Sequence, residues 1–228
     1  MNLCIGTGWC AQNEGHNNPQ RSKLQNGPEW LEKYWLPHLD AQIKEFVPAL
    51  YQSDCDIWAD IEITNDWHFA MSSVDARDLP YRHDWAASVL HGALYAYSNR
   101  MDYLYIEQDC MVHNLPAVLE FAKNHRVCYG YGDYSMYPGW AENSLMWVRN
   151  DALQPFICRM LTSDIKECDG KTRMIETVFH SYMCNMYTPW PFGYGRIRPI
   201  DFAQPVFYAQ QLTDEEIKRF MELENVAH

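Results

Sequence analysis

Residues 101–110 constrain this chain more than any other stretch. They read Met-Asp-Tyr-Leu-Tyr-Ile-Glu-Gln-Asp-Cys. A helical repeat of apolar residues precedes them: Ala86, Val89, Leu90, Ala93, Leu94 and Tyr97 recur at 3.6-residue spacing, which predicts a helix over Asp84 to Ser98. A short turn leads into Tyr103-Leu104-Tyr105-Ile106, an apolar run that reads as a buried central strand. Two carboxylates, Glu107 and Asp109, then follow. In an open α/β sheet, ligands bind beyond the carboxyl ends of the strands. Two negative charges at the end of a buried strand are costly unless something positive sits there. From an extended backbone, side chains two residues apart point the same way, so Glu107 and Asp109 can reach one ion. Their hard oxygens suit Mg²⁺ or Mn²⁺. The same spacing also fits two solvated loop acids, or Glu107 paired with an arginine.

The rest of the chain alternates in the same way. Leu3-Cys4-Ile5 reads as a strand that stops at Gly6-Thr7-Gly8. A polar loop follows from Gln12 to Pro28; Pro28 opens a helix and Pro37 breaks it. A second segment runs from Leu39 to Val47, and Ala49 to Gln52 is the next strand, turning at Ser53-Asp54-Cys55-Asp56. Ile57 to Thr64 is strand-like. Further on, Asn114 caps a helix running to about His125; Val127 to Tyr131 and Leu145 to Val148 are strands; Ala152 to Leu161 is a helix with Pro155 near its first turn. Met174, Ile175, Val178, Phe179 and Tyr182 form another helical stripe, and Pro205 to Ala209 is a last strand. Thr213-x-x-Glu216 is a capping box, with Leu212 and Ile217 as its staple, so a C-terminal helix covers about 214–225. Such alternation predicts a single α/β domain over residues 1–228, with a mostly parallel sheet covered by helices on both faces.

Composition narrows the function. Lys plus Arg is 18 and Asp plus Glu is 30, a net charge of −12. Nucleic-acid and anionic-membrane binding rest on cations, so neither is expected. No apolar stretch is long enough to span a bilayer: the longest such run, Trp85 to Tyr97, is interrupted by Ser88, His91 and Gly92. The N-terminus has no basic and apolar leader pattern. Eight cysteines lie scattered without a CxxC pair, which argues against zinc and for a reducing, cytoplasmic setting. Nine Trp and fifteen Tyr exceed what a core of this size needs, so many are expected in clefts or at the surface. Flat amphipathic rings stack on sugars and bases, although a Trp-rich core or an oligomer interface would use them too. Oligomeric state stays open.

With the helix before it, the segment MDYLYIEQDC resembles the signature of GT-A glycosyltransferases, whose DxD motif ends a central strand and holds a divalent ion on the diphosphate of a nucleotide-sugar donor. Here the motif is Glu107-Gln108-Asp109, with Glu as the first acid. The resemblance assigns the metal to Asp109 together with Glu107, and places Gln108 among the donor-binding residues. It extends to about residues 1–210. The turn Thr7-Gly8-Trp9 is similar to the donor-binding start of the fold, with Trp9 as a stacking ring. Ser53 and Asp54 resemble the strand-end acid that contacts base or ribose. Gly139 to Leu153 resembles the acceptor-side strand that leads into a helix.

Other residues are candidates by position. Gly6-Thr7-Gly8 is half of a dinucleotide fingerprint, but no helix entry follows within reach, so a Rossmann cofactor is not expected. Arg82 and His83 precede the helix that Asp84 caps, where they can meet phosphate or ribose with the helix amides. Glu176 and His180 share a helix face. An inverting transfer needs a carboxylate to take the acceptor hydroxyl's proton. Glu176 matches the place such a base holds in GT-A enzymes, with Asp133 and Glu142 as rivals. Tyr134, Tyr137, Trp140 and Trp190 are candidates for an acceptor platform, and Arg196 and Arg198 can face the diphosphate.

The expectation is therefore a metal-dependent glycosyltransferase using Mn²⁺ or Mg²⁺. It moves a sugar from a nucleotide-diphospho-sugar, UDP-sugar by family frequency, to a saccharide or glycoconjugate. A sugar nucleotidyltransferase is an alternative, but such enzymes carry a Gly-rich basic loop where this chain has mostly Asn and Gln. A non-catalytic sugar- or partner-binding protein of the same fold is the other.

Overall fold

The computed structural model describes residues 3–7, 22–26, 30–35, 37–39, 62–64, 67–69, 84–134, 137–162, 183, 185–193 and 195–226. Nine strands are described: β1 (Leu3–Gly6), β2 (Glu62–Thr64), β3 (Trp67–Phe69), β4 (Asp102–Ile106), β5 (Cys110–His113), β6 (Val127–Tyr134), β7 (Tyr137–Val148), β8 (Tyr187–Pro189) and β9 (Phe207–Gln210). The helices are α1 (Asp84–Ser98), α2 (Leu115–Ala122), α3 (Asn150–Thr162) and α4 (Asp214–Val226).

The main sheet has the order β1-β4-β7-β6-β8. β1 and β4 are parallel, β7 runs against both its neighbours, and β6 and β8 are parallel. Four of its five strands therefore point one way and β7 alone is reversed. The mostly parallel sheet read from the sequence is present. β5 leaves this sheet and pairs antiparallel with β9; β2 and β3 form a separate hairpin.

Strand parity sorts the core into two layers. Leu3, Ile5, Leu104, Ile106, Leu145 and Trp147 face α2, α4 and two buried indoles, Trp30 and Trp35. Cys4, Tyr103, Tyr105, Val127, Tyr129, Met146 and Val148 face α1 and α3. Helices thus cover both faces. Tyr103 fits because Gly6 and Gly92 leave room: a Cβ at either would lie within 2.7 Å of its hydroxyl oxygen.

α1 matches its predicted bounds. α2 stops at Ala122, three residues before the expected His125, because Asn124 Nδ2 and His125 Nδ1 bond the carbonyls of Glu120 and Phe121. α3 begins at Asn150, two residues early, so Pro155 lies inside it. A π-turn spans Leu31–Trp35 and residues 37–39 are helical; whether Pro37 separates two helices lies outside the described residues. The polar stretch Gln12 to Pro28 contains a 3₁₀ turn at Lys23–Asn26. No helix among the described residues is long and apolar enough to cross a membrane. Cys4, Cys110 and Cys128 are buried free thiols, and Cys158 is an exposed one.

The four tryptophans whose side chains are described are core residues, as in the Trp-rich core that the sequence also allows; the side chains of the other five lie outside the described residues. Trp30, Trp35 and Trp147 are fully buried and Trp190 is 7% exposed. Each indole N–H donates to a backbone carbonyl: of Gln108, Cys110, His125 and Leu145 respectively. The indoles pay their polar cost inside the core, so Trp190 is not an acceptor platform. The side chains of Tyr134, Tyr137 and Trp140 lie outside the described residues.

Candidate active site

β1 and β4 end side by side, with Gly6 paired to Tyr105. Thr7, fully buried, follows β1. At the end of β4 the ladder continues one residue further, where the Glu107 N–H donates to the Ser144 carbonyl at 2.8 Å. The backbone then turns sharply and the Cys110 N–H bonds the Glu107 carbonyl at 2.9 Å. Glu107 is half-buried, and Gln108 and Asp109 are 4% and 5% exposed. The acids thus flank a turn rather than an extended segment, and the pleat does not align them as the sequence reading assumed. Burial, then the charges of Asp109, Glu107 and Glu142, hold the Cys110 thiol well above its ordinary pKa.

Glu142 reaches the acidic turn through a bulge. β6 and β7 pair Tyr129 with Met146, but the next pair is Gly130 with Glu142. Residues 143–145 are the excess on β7, and such irregularities re-aim side chains. Glu142 is buried, and its Oε1 accepts the Ser144 N–H at 3.2 Å. Gly195, at φ +50°, makes space: a Cβ there would meet the Glu142 carboxyl carbon and Oε2 at 2.5 Å.

Two consecutive glutamines, the last residue of β9 and the one after it, hold the turn. The Gln210 side-chain amide donates to Glu107 Oε2. The Gln211 N–H donates to the Asp109 carbonyl at 3.2 Å, with Gln211 at φ 56°. Arg196 Nε donates to Gln210 Oε1 at 3.1 Å. Arg198 bonds the carbonyl of Gln210 at 2.9 Å and pairs with Glu216 at 2.6 Å, tying the turn to the start of α4. From the other side, Gln25 Nε2 reaches the Asp109 carbonyl at 3.3 Å, and Gln108 Nε2 reaches the Gln25 carbonyl at 2.9 Å. The Gln108 side chain therefore anchors the 3₁₀ turn.

Among the sequence candidates the structure brings together Glu107, Asp109, Glu142 and Arg196; Thr7 lies at the end of the adjacent strand. Gly8, Trp9, Ser53, Asp54, Arg82, His83, Glu176 and His180 lie outside the described residues, as does the side chain of Asp133. Sequence reasoning missed Gln210 and Gln211. Their one signal is a polar pair placed between a strand and a capping box.

A single reversed strand in an otherwise parallel sheet, helices on both faces and an acidic turn at the end of a central strand define an α/β protein of the GT-A fold. Over nearly its whole length the chain is similar to the galactosyltransferase LgtC, solved with donor and acceptor sugar analogues. The TM-score is 0.55 at 10% identity, covering 99% of this chain and 96% of LgtC. It is also matched to a glycosyltransferase involved in glycosylating the major capsid of PBCV-1 (TM-score 0.45, 14% identity, 97% and 100% coverage). A nucleoside-diphosphate-sugar pyrophosphorylase from Vibrio cholerae RC9 is matched at TM-score 0.46 and 9% identity, covering 82% and 91%. No protein-family model and no curated protein matches the sequence.

Proposed function

We propose that this protein is a metal-dependent glycosyltransferase. It would move a sugar from a nucleotide-diphospho-sugar, UDP-sugar first, to a saccharide or glycoconjugate. The observation that carries the reading is the turn Glu107-Gln108-Asp109, held at the carboxyl end of the central strand β4 with Glu142 beside it. Among the described residues, no three His, Cys, Asp or Glu are placed to enclose an ion. Two carboxylates fit a different arrangement, in which Mg²⁺ or Mn²⁺ is held by one or two acids and by substrate phosphates. Asp109 and Glu107 are the residues that would hold it. When bound, the ion supplies charge stabilisation for the leaving nucleoside diphosphate.

The chain's own residues supply the rest. Arg196, beside the turn, offers a cation for the diphosphate. Thr7, Gly8, Trp9, Ser53, Asp54 and Arg82 are proposed for the nucleotide, and Glu176 for the acceptor proton if the transfer inverts. Gln108 supports the donor site through the 3₁₀ turn it anchors.

The test is calorimetric titration of UDP into the protein with and without Mn²⁺, beside Asp109→Ala. Binding that needs Mn²⁺, and that weakens at least about 100-fold in the variant, or about 3 kcal/mol, is the expected result. Equal affinity in variant and wild type would remove Asp109 from the site. Binding of sugar nucleotides without turnover would favour the non-catalytic alternative, and pyrophosphate release from a nucleoside triphosphate the nucleotidyltransferase.

A further inference from the structure

We propose that Gln210 is the positioning residue that holds Glu107 for the divalent cation; this rests on the cation reading above. Gln210 is 2% exposed and ends β9, where its N–H bonds the Gly195 carbonyl at 2.8 Å. Its side chain stands between a guanidinium and a carboxylate. Arg196 can only donate, so the atom 3.1 Å from its Nε must be the amide oxygen. The amide nitrogen then necessarily faces Glu107 Oε2, to which it donates. Neither partner permits the flipped amide, so the orientation of this glutamine is fixed by chemistry.

The choice of an amide has a physical consequence. An arginine in this position would orient the carboxylate and cancel its charge. A neutral donor orients it while leaving the full negative charge for a cation. Glu107 also needs such a hold more than aspartate would, because its longer side chain has one more rotatable bond to restrain. Gln210 can supply that hold because it stands at the end of a strand, and the next residue, Gln211, fixes the Asp109 carbonyl through its backbone. One short segment therefore holds the Glu107 carboxylate and the Asp109 backbone.

Outer partners that orient metal-binding carboxylates typically matter 10- to 100-fold in affinity. The experiment measures Mn²⁺ affinity, without and with UDP, from the paramagnetic resonance signal of the free ion. It compares wild type, Gln210→Met, Glu107→Gln and the double variant, with circular dichroism to check folding. Methionine keeps the length and volume of glutamine without its hydrogen bonds. Gln210→Asn, whose amide is one methylene short of Glu107, replaces it if the methionine variant does not fold. Expected is a weakening of about 10- to 100-fold in Gln210→Met, and none beyond Glu107→Gln in the double variant, because Gln210 acts through Glu107. Wild-type affinity in the single variant, or losses that multiply in the double, would overturn the proposal. A wild-type protein that binds no Mn²⁺ either alone or with UDP would overturn the cation reading and this role with it.

Discussion

Gly195 carries more of the site than a glycine usually does. It adopts φ +50°, and its missing Cβ is the space into which the Glu142 carboxylate fits. Gly195→Ala should therefore cost both left-handed strain and displacement of a buried acid, about 2 kcal/mol together. Urea unfolding near neutral pH measures this, and an unchanged midpoint would show that the contact is not limiting. At this scale the sequence is legible only in part. Glu107 and Asp109 stand out because acids after an apolar strand demand a reason. Glu142 does not, because a bulge of three residues delivers it, and no periodicity encodes a bulge. Gln210 is harder still to read: a glutamine next to a strand is chemically ordinary until its neighbours are known.

Elements with strong local signals form where their residues place them. In α4 the Thr213 N–H donates to Glu216 Oε2 at 3.0 Å and the Glu216 N–H to Thr213 Oγ1 at 3.2 Å, the reciprocal cap expected from the sequence. Buried Leu212 and Ile217 flank it. Thr213→Ala should lower stability by about 1 kcal/mol, read as a lower thermal midpoint by circular dichroism. No change would mean that the Arg198–Glu216 pair alone holds the helix start. Periodicity marked both ends of α1 and the apolar run marked β4. The pairings that escape are those with no local pattern: β5 with β9, and the first part of the reversed β7, where Tyr137 to Trp140 look like a loop and only Leu145 to Val148 read as a strand. What the described tryptophans do is equally hidden from the sequence. Trp30, Trp35 and His38 donate to the carbonyls of Gln108, Cys110 and Val112, every second residue leaving the acidic turn. Only the fold reveals that target.

Across the whole molecule, His38 links the N-terminal helical segment to β5 and α4. It is buried, bonded to the Val112 carbonyl, with Glu224 3.9 Å away and His113 on the far side of that carboxylate. Burial pushes its pKa down to about 4, against the opposing pull of Glu224. The unfolded chain takes up this proton near pH 6.5, before the folded protein does. Stability should therefore fall as pH drops from about 6.5 to about 4, by roughly 3 kcal/mol from this group. His38→Gln keeps a donor for Val112 and should flatten that part of the profile in chemical unfolding. A slope identical to wild type would mean that other groups set it.

The pairing of β5 with β9 also has a consequence for the order in which the protein is made. All five strands of the main sheet have been synthesised once Pro189 is in place, and α1, α2 and α3 precede it. β5 still lacks its partner then, and the acidic turn lacks both glutamines, which arrive only with residues 210 and 211. A nascent chain emerging from the ribosome can thus assemble its scaffold before it acquires a braced turn. The catalytic competence proposed for this protein would then follow its scaffold rather than arrive with it.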